Sequence, residues 1–514
     1  MSDEIVIGID LGTTFSAMAY INAHGKPEII SNREGERTTP SVVYFEEDGT
    51  PVIGQAARNQ AIVEPSRTVR FIKREMGNPS YRANIDGHDW LPEYLSALIL
   101  KKLKTDAEAQ LGVAVNRAVI SVPAYFKDAQ REATRQAAQM AGLEVLRIVN
   151  EPTAAALAYG RDKIEGNQTI LVYDFGGGTF DATIMRIEGN RFTILGTDGN
   201  ARLGGKDIDQ RLVDHLAEEF QRAHSIDLRA ERFTHQDLWD RAEQAKKDLS
   251  FREHVAITVS RGEKALRVDI DRDLFGKMIE DLIAETQACV EELLAATGQN
   301  WNSIDVVLLA GGSSRMPAVR AMIERISGKD SARDLNPDEC VALGAAIQSS
   351  VLLDEGTPAS PAGAGEESRD LVVQDVASHS LGVRAQSSDR RSYVNSIIIP
   401  RFTPIPCEQR RPFATSTDNQ ALVDIEVLQG EASDPTSPEI DLIGKLALTD
   451  LPPHKAGQLR IDVVLRYTAD GVIEVEATES ISGRRVREVI MKKAGSLSKE
   501  LVKAGEQEIS KILV

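Results

Sequence analysis

The sequence predicts an α/β fold for the first part of the chain, followed by an antiparallel all-β domain and a short C-terminal helix. Short apolar runs alternate with amphipathic stretches up to about residue 353, and polar and apolar residues alternate with period two from about 375 to 495. A Pro-, Gly- and Ala-rich segment separates the two patterns. A chain of 514 residues is too long for one hydrophobic core, so several domains are expected.

The α/β region is predicted from its strands and helices in turn. The apolar runs 118–122, 170–173 and 306–309 predict buried strands, and residues 129–141 have the spacing of an amphipathic helix. Such alternation is typical of α/β domains. We therefore expect one α/β unit over residues 1–353.

Two strands of this region each lead into an aspartate and a glycine turn. Glycines supply positive φ angles and let backbone N–H groups approach phosphate oxygens, and a strand-end carboxylate can hold waters around Mg²⁺. One such turn is common, but two matching turns predict a duplicated α/β unit closing on one nucleotide. The first turn contains Asp10, Gly12, Thr13 and Thr14, and the second contains Asp174, Gly176, Gly177, Gly178 and Thr179.

A separate segment connects the two regions. Residues 354–369 are small and polar, and they cannot bury enough apolar surface to order themselves. Residues 371–373 then form a short apolar cluster. We predict a linker over 354–374 that is flexible first and apolar at its end.

The region after the linker has the pattern of a β domain. Val423, Ile425 and Val427 alternate with acidic residues, which predicts strands with one buried face over residues 375–495. An Asp-Gly pair at 470–471, between two alternating stretches, predicts a hairpin. The remaining residues, 496–514, predict one short helix weakened by Gly505 and no larger helical domain.

Two charged residues are candidates for phosphate chemistry. Glu151 precedes a proline at the start of an Ala-rich helix, where it could orient a water for attack on a γ-phosphate. A carboxylate that merely favours the helix dipole would look the same. Lys73 could neutralise phosphate charge, although a solvated lysine is the ordinary alternative. The residues alone leave both alternatives open.

Three motifs could contact a nucleoside. Glu243, Lys246 and Ser250 lie at i, i+3 and i+7 on one helical face, where a surface ion pair is the ordinary alternative. Asp338 in NPDE could lie near the nucleoside or could simply begin a helix. A glycine turn after a strand would let a base lie close to the backbone and stack on an arginine. That turn contains Gly311, Gly312, Ser313 and Arg315.

Composition disfavours several classes of function. The net charge of −18 argues against binding to nucleic acids or anionic membranes. The three cysteines are scattered without a CxxC pair, which indicates free thiols and no zinc site. Neither a secretory signal nor an apolar run of membrane-spanning length is visible, so we expect a cytoplasmic protein.

Taken together, these motifs resemble the 70-kDa heat-shock chaperones of the DnaK type. GIDLGTT, VPAYF, NEPTAAALAYG, DFGGGTFD, GGSSRMP and NPDE appear in family order, between Ile5 and about Gly495. The resemblance implies an actin-like two-lobed ATPase domain, an apolar linker and a β-sandwich that binds extended peptides. It also implies ATP or ADP with Mg²⁺ (and K⁺ as an optional second ion), unfolded client polypeptides, a J-domain co-chaperone and a nucleotide exchange factor.

The resemblance assigns roles residue by residue. The hydrolytic set is Asp10, Lys73, Glu151, Asp174, Thr179 and Asp181, with Asp10 and Asp174 reaching the metal through water. The phosphate and nucleoside contacts are Gly12, Thr13, Thr14, Gly176, Gly177, Gly178, Gly204, Gly205, Glu243, Lys246, Ser250, Gly311, Gly312, Ser313, Arg315 and Asp338. The peptide cleft contains Val383, Ala385, Ser416, Val423, Ile425 and Ile461. The relay between the domains contains Pro123, Arg147, Leu371, Val372, Val373 and Asp375.

The sequence departs from the family pattern at several places. The helical lid is missing, so we expect client peptides to bind weakly and exchange fast. Lys127 replaces an asparagine, Gln386 replaces an apolar residue, and the polar loop 387–395 is longer than usual. Partners and clients are therefore expected to be specialised.

Three other functions are compatible with the sequence. A small-molecule kinase or a filament-forming actin relative would share the phosphate turns but would have no evident use for the β domain. A dedicated partner regulator or holdase would keep the whole fold without general chaperone activity.

Overall fold

A computed structural model describes residues 5–163, 167–331, 335–355, 371–387, 389, 391–468, 471–490 and 497–512. Most of the flexible part of the predicted linker, 356–370, and two residues of the predicted hairpin turn, 469–470, lie outside the described residues. Within the part that is described, no helix is both long enough and apolar enough to cross a membrane.

Residues 5–163 form the first half of the α/β region. Its strands are β1 Val6–Asp10, β2 Phe15–Ile21, β3 Pro27–Ile29, β4 Thr39–Pro40, β5 Val42–Phe45, β6 Pro51–Ile53, β7 Thr68–Arg70, β8 Ala83–Ile85, β9 His88–Trp90, β10 Arg117–Val122 and β11 Glu144–Asn150. Its helices are α1 Gln55–Gln60, α2 Pro92–Leu111, α3 Asp128–Met140 and α4 Glu151–Lys163, with 3-10 turns at Pro65–Arg67 and Ile72–Glu75.

Residues 167–355 form the second half. Its strands are β12 Asn167–Phe175, β13 Phe180–Glu188, β14 Arg191–Asn200, β15 His254–Arg261, β16 Lys264–Asp271 and β17 Val306–Ala310. Its helices are α5 Gly205–His224, α6 Arg232–Leu249, α7 Arg272–Met278, α8 Glu280–Ala296, α9 Pro317–Ser327 and α10 Cys340–Glu355, with 3-10 turns at Leu228–Ala230, Trp301–Ser303 and Gly312–Arg315.

The two halves repeat one arrangement of strands. Strand β1 pairs in parallel with β10 and in antiparallel with β2, which follows its glycine turn. Strand β12 pairs in the same way with β17 and β13. The sheet orders are β11-β10-β1-β2-β3, with β4 also on β2, and β17-β12-β13-β14. Asp10 and Asp174 therefore lie at equivalent strand ends, as the duplicated turns predict.

Helix α10 joins the two halves through close backbone contacts. A Cβ on Gly344 of α10 would collide with the backbone of Ala154 in α4, and one on Gly8 of β1 would lie 2.6 Å from the Ala345 carbonyl carbon. Only glycine permits these approaches. These contacts hold α10 against α4 and β1, which both belong to the first half.

The β domain is a sandwich of two four-stranded sheets. Its strands are β19 Leu381–Gln386, β20 Tyr393–Ile399, β22 Cys407–Ala414, β23 Val423–Gln429, β24 Asp441–Leu448, β25 Arg460–Tyr467, β26 Ile473–Glu479 and β27 Arg485–Ile490, after the linker strand β18 Val372–Val376 and with the short strand β21 Pro404–Ile405 between β20 and β22. The sheet orders are β20-β19-β23-β24 and β22-β25-β26-β27. Ile461, Val463 and Leu465 of β25 point into the core between the sheets, as the period-two pattern predicts.

The apolar end of the linker is a strand shared by both domains. Val372 and Val373 of β18 pair in parallel with Arg191 and Phe192 of β14. Asp375 of the same strand pairs in antiparallel with Ile405 of β21. The sheet of the second half thus continues through the linker into the β domain.

A single helix, α11 Lys499–Lys511, follows the sandwich and packs on α2 and α3 of the first half. Val502 and Ile509 are buried there, and the Lys101 ammonium donates to backbone carbonyls at the end of α11. A Cβ on Gly505 would lie 2.9 Å from the Tyr94 ring, so the glycine that weakens the helix permits its close docking.

Candidate functional site

A cavity of about 410 Å³ lies between the two halves and brings most of the predicted nucleotide residues together. Gly178, Gly204, Gly205 and Asp181 do not line the cavity, but the three glycines contact residues that do, and Asp181 pairs with Asp174 across the β12–β13 ladder. The predicted residues that line it are Asp10, Gly12, Thr13, Thr14, Lys73, Glu151, Asp174, Gly176, Gly177, Thr179, Glu243, Lys246, Ser250, Gly311, Gly312, Ser313, Arg315 and Asp338.

The two glycine turns contact each other at one end of the cavity. A Cβ on Gly177 would lie 2.7 Å from Cγ2 of Thr14, and one on Gly178 would lie 2.7 Å from Cβ of Thr13. Gly204 in turn packs on Gly178, where a Cβ would lie 2.6 Å from backbone atoms. Side chains are therefore excluded from a cradle walled by backbone and hydroxyl groups, which fits a chain of phosphates.

A buried ion pair lies beside this cradle. The Lys73 ammonium donates to the Glu151 carboxylate, and both side chains are less than 10% exposed. Burial alone would lower the pKa of Lys73, but the Glu151 and Asp10 carboxylates raise it, so the lysine stays charged. Glu151 is thus not a free carboxylate, and the plain helix-dipole alternative does not describe its surroundings.

Three carboxylates surround the ion pair. Burial is the main cause that raises the pKa values of Asp10, Asp174 and Asp181, and repulsion from Glu151 is the second cause. The pKa of Asp181 is raised to about 7. The Ser121 hydroxyl donates to Asp10 over 3.2 Å, whereas Oδ2 of Asp174 is buried without a hydrogen-bond partner. These observations fit a divalent cation, which would compensate the clustered negative charge.

Direct coordination by protein side chains alone does not fit this site. Among the described residues, no group of three or more His, Cys, Asp or Glu side chains is arranged to hold a metal ion. A cation near Asp10 and Asp174 would need waters and phosphate oxygens to complete its shell, which is the arrangement expected for Mg²⁺.

The turn that contains Gly311, Ser313 and Arg315 has the features of a nucleoside site, and the Ser313 hydroxyl ties it to the second phosphate turn by donating to the Gly176 carbonyl over 2.8 Å. The Arg315 guanidinium donates to Asp338 over 2.7 Å and to Asn336 over 2.6 Å, which fixes its plane at the wall. Gly311 has a φ of 74°, and a Cβ there would lie 2.5 Å from the Phe175 backbone. Backbone and a planar cation therefore form this wall.

Glu243 lines the cavity as expected and also makes ion pairs that the sequence does not predict. Its carboxylate accepts from Arg58 over 2.9 Å and from Arg70 over 3.2 Å, both in the first half, and from Lys247 over 2.7 Å. Burial alone would raise its pKa, but Lys247 and Arg58 lower it to about 2. Glu243 thus closes the cleft by ion pairs between the halves, while Lys246 pairs with Asp209 over 2.8 Å.

A second contact between the halves is not predicted from the sequence. The Arg74 guanidinium donates to the Gly178 carbonyl over 2.8 Å and to the Asp207 carboxylate over 3.0 Å. Arg74 follows Lys73 directly, and Asp207 follows the Gly204-Gly205 pair, so adjacency to predicted residues was the only signal in the sequence. Arg74 thus ties the second glycine turn, which belongs to the second half, to the first half.

The predicted relay residues lie between the nucleotide cavity and the β domain. Asn150, next to Glu151, donates to Asp375 over 2.9 Å. Arg131, the last residue of the DAQR stretch that follows the VPAYF motif, donates to Asn150 over 2.6 Å and to the carbonyl of Ala124, the residue after Pro123. Burial raises the pKa of Asp375, against the opposing charges of Arg131 and Arg147.

A second path joins the same regions through Tyr125. Its backbone N–H donates to Asp181 over 2.9 Å, and its carbonyl accepts from the His379 imidazole of the β domain over 3.0 Å. The two rings meet edge to face, with centroids 4.4 Å apart. Lys127, noted as a departure from the family, pairs with Asp441 of the β domain over 3.0 Å.

The β domain has a cavity of about 680 Å³ between its two sheets. Gln386 lines it, and Tyr393–Asn395 belong to β20, so the connecting loop is shorter than the expected 387–395. The side-chain oxygen Oε1 of Gln420 accepts from the Ser416 backbone N–H over 2.9 Å, and both residues line the cavity. All six predicted peptide residues line the cavity: Val383, Ala385, Ser416, Val423, Ile425 and Ile461.

Comparison with known proteins identifies the family. The sequence model described as Hsp70 protein matches residues 6–86 and 78–512. The chain is 43% identical over 494 residues to "Chaperone protein DnaK" of Thermotoga neapolitana, covering 95% of this chain and 80% of the relative. The identity and coverage are the same for "Chaperone protein DnaK" of Thermotoga petrophila. The resemblance is confirmed, and the chain belongs to the Hsp70 family of ATP-hydrolysing chaperones.

Proposed function

We propose that this chain couples ATP hydrolysis between its two lobes to the binding and release of extended apolar peptide segments in the β-sandwich. The observation that carries the proposal is the linker strand β18, which pairs with the ATPase sheet on one side and with the β domain on the other. Asp375 of the same strand accepts from Asn150 of the first lobe, so a change in the angle between the lobes would alter the contacts of β18. By linkage, peptide and nucleotide must then affect each other's binding.

The residues of the actin-like domain divide the chemistry among them. Backbone groups of the two glycine turns cradle the phosphates, and Lys73 holds positive charge beside the transferring group. Glu151, positioned by Lys73, orients the attacking water. A Mg²⁺ ion held through water by Asp10 and Asp174 supplies charge neutralisation at the phosphates when it is bound.

The peptide cleft is proposed to work by strand addition. Backbone groups of an extended client pair with the cleft, and Val383, Ile425 and Ile461 offer an apolar pocket for a Leu- or Ile-like side chain. Helix α11 lies on α2 and α3 of the first lobe and does not line the cleft. Cytoplasmic unfolded clients, a J-domain co-chaperone and an exchange factor complete the proposal.

Steady-state ATPase measurements test this function. We expect an unfolded client or an apolar peptide to raise the ATPase rate, with a further rise when candidate J-domain proteins are added. ATP turnover that is unaffected by any client or J-domain protein would instead favour a dedicated holdase. Phosphate transfer to a sugar hydroxyl would establish kinase activity.

A further inference from the structure

One aromatic side chain at the nucleotide cavity takes no part in phosphate binding or hydrolysis. Phe251 follows Ser250 at the end of α6, lines the cavity and is 81% exposed, the highest value among the exposed large hydrophobic side chains of the described residues. Because the ring is exposed and also lines the cavity, its apolar face is available to a ligand that binds there.

The backbone holds Phe251 in place while its ring remains available. Helix α6 ends at Leu249, and the amides of Ser250 and Phe251 donate to the Lys247 and Asp248 carbonyls over 3.1 and 3.0 Å. This hydrogen-bonded turn fixes the position from which the side chain leaves the helix. The backbone of Phe251 is therefore fixed, while its side chain remains free to contact a ligand in the cavity.

The same cavity presents a second flat group. Arg315 lines the cavity, and its guanidinium is held by Asp338 and Asn336. A planar cation and a phenyl ring, contributed by different elements around one opening, suit a planar aromatic ligand. With the phosphates in the cradle, these two flat groups would be available to the base of a nucleotide.

We propose that Phe251 determines affinity for the base, its ring closing over a purine that lies against the Arg315 wall. The inference rests on nucleotide binding at this site and adds a contact to it. Stacking recognises the π-face and the size of the ring and not its hydrogen-bonding edge. Phe251 therefore favours purine over pyrimidine nucleotides and has no effect on the phosphates.

The chain offers a matched control in Phe233. It lies near the start of the same helix, is 50% exposed and does not line the cavity. F251A and F233A each remove one exposed phenyl ring from the α6 region, so any general effect on stability or solubility is shared. A loss of binding confined to F251A reports the stacking contact.

Calorimetry of ADP, CDP and inorganic tripolyphosphate with Mg²⁺ tests the proposal. We expect F251A to weaken ADP binding about five- to tenfold, to weaken CDP binding less, and to leave tripolyphosphate binding unchanged. F233A should bind all three ligands as the unsubstituted protein does. In F251W, the added fluorescence should be quenched by ADP and not by tripolyphosphate. Wild-type affinity for ADP in F251A, or an equal loss of tripolyphosphate binding, would overturn the role of Phe251 while leaving nucleotide binding intact. Failure of the unsubstituted protein to bind ADP would overturn both.

Discussion

The two cavities of this chain are built on different principles. The nucleotide cavity is walled by backbone segments so close that a Cβ on Gly177, Gly178 or Gly204 would collide, and it contains a buried ion pair and three carboxylates. The β-domain cavity is larger, about 680 Å³, and is walled mainly by residues of β19, β22, β23 and β25. The first suits one ligand shape, whereas the second suits many extended segments. Substitutions in the nucleotide cavity should therefore change activity and ligand affinity more than substitutions in the β-domain cavity.

Loss of the buried cation should have the largest effect. Lys73→Met removes the charge beside the phosphates and leaves Glu151 buried without its partner, so we expect kcat to fall by roughly 10²–10³. Single-turnover hydrolysis measures the loss. Lys26→Met, at a lysine far from the cavity lining, serves as the control. Hydrolysis within about threefold of the unsubstituted rate would contradict the role assigned to Lys73.

A methyl group in the phosphate cradle should have the next largest effect. In Gly178→Ala, the new Cβ meets Thr13, so the turns must separate and nucleotide affinity should fall about 10- to 100-fold. Gly276→Ala adds the same methyl where nothing lies within 4 Å and should leave affinity unchanged. Calorimetry with ADP compares the two variants. Equal affinities would mean that close backbone contact is not what shapes this cavity.

A comparable truncation in the β domain should have a smaller effect. Val423→Ala removes part of a half-buried cavity wall, and we expect peptide affinity to fall about fivefold, because about 1 kcal/mol of apolar contact is lost. Val464→Ala, in β25 but not lining the cavity, is the control. Fluorescence anisotropy of a labelled apolar peptide reports both. A loss of about 100-fold would show that this cleft is as demanding as the nucleotide site.

The smallest effect concerns pH and the contact between the domains. Burial lowers the pKa of His379 to about 4, so docking keeps the imidazole neutral. Docking free energy from this group is fully present above about pH 6.5 and is lost as pH falls towards 4. Between about pH 7.5 and 6 we expect about a fourfold loss of the docked form from this group.

The contribution of His379 must be isolated by substitution. Lys127 and Arg131 also face His379 and oppose its charging, Glu431 favours it, and Tyr125 supplies its hydrogen bond. Burial raises the pKa of Asp128, at the same interface, to about 7, which acts in the opposite direction. A domain-to-domain FRET assay measures the docked form in the unsubstituted chain and in His379→Leu. We expect the unsubstituted chain to lose about fourfold more of the docked form between about pH 7.5 and 6 than the variant does. Identical pH profiles would rule out a role for His379.

The sequence was most informative where contacts are local. Both phosphate turns follow an apolar strand directly, so Asp10 and Asp174 could be placed at equivalent strand ends from the residue pattern alone. The partners of Glu243 could not, because Arg58 lies 185 residues away in the other half and nothing local distinguishes it from other surface arginines. The same limit applies to His379, because its contact with Tyr125 depends on how the domains dock.

The contrast between local and long-range contacts also explains why the structures of the linker and the C-terminal helix could be predicted only in part. The cluster 371–373 was recognisable as apolar, but its pairing with β14 depends on a sheet edge far away in sequence. Gly505 argued against a stable helix by propensity, yet the absence of a side chain lets α11 approach Tyr94. Tertiary packing overrides local preference at such positions.

The central claim is that nucleotide in the first cavity controls peptide affinity in the second. The most direct test is the anisotropy of a labelled apolar peptide, titrated with the full chain in saturating Mg²⁺–ATP and then in Mg²⁺–ADP. We predict dissociation constants that differ by about 10-fold or more between the two nucleotides. The same dissociation constant in ATP and ADP would contradict this coupling.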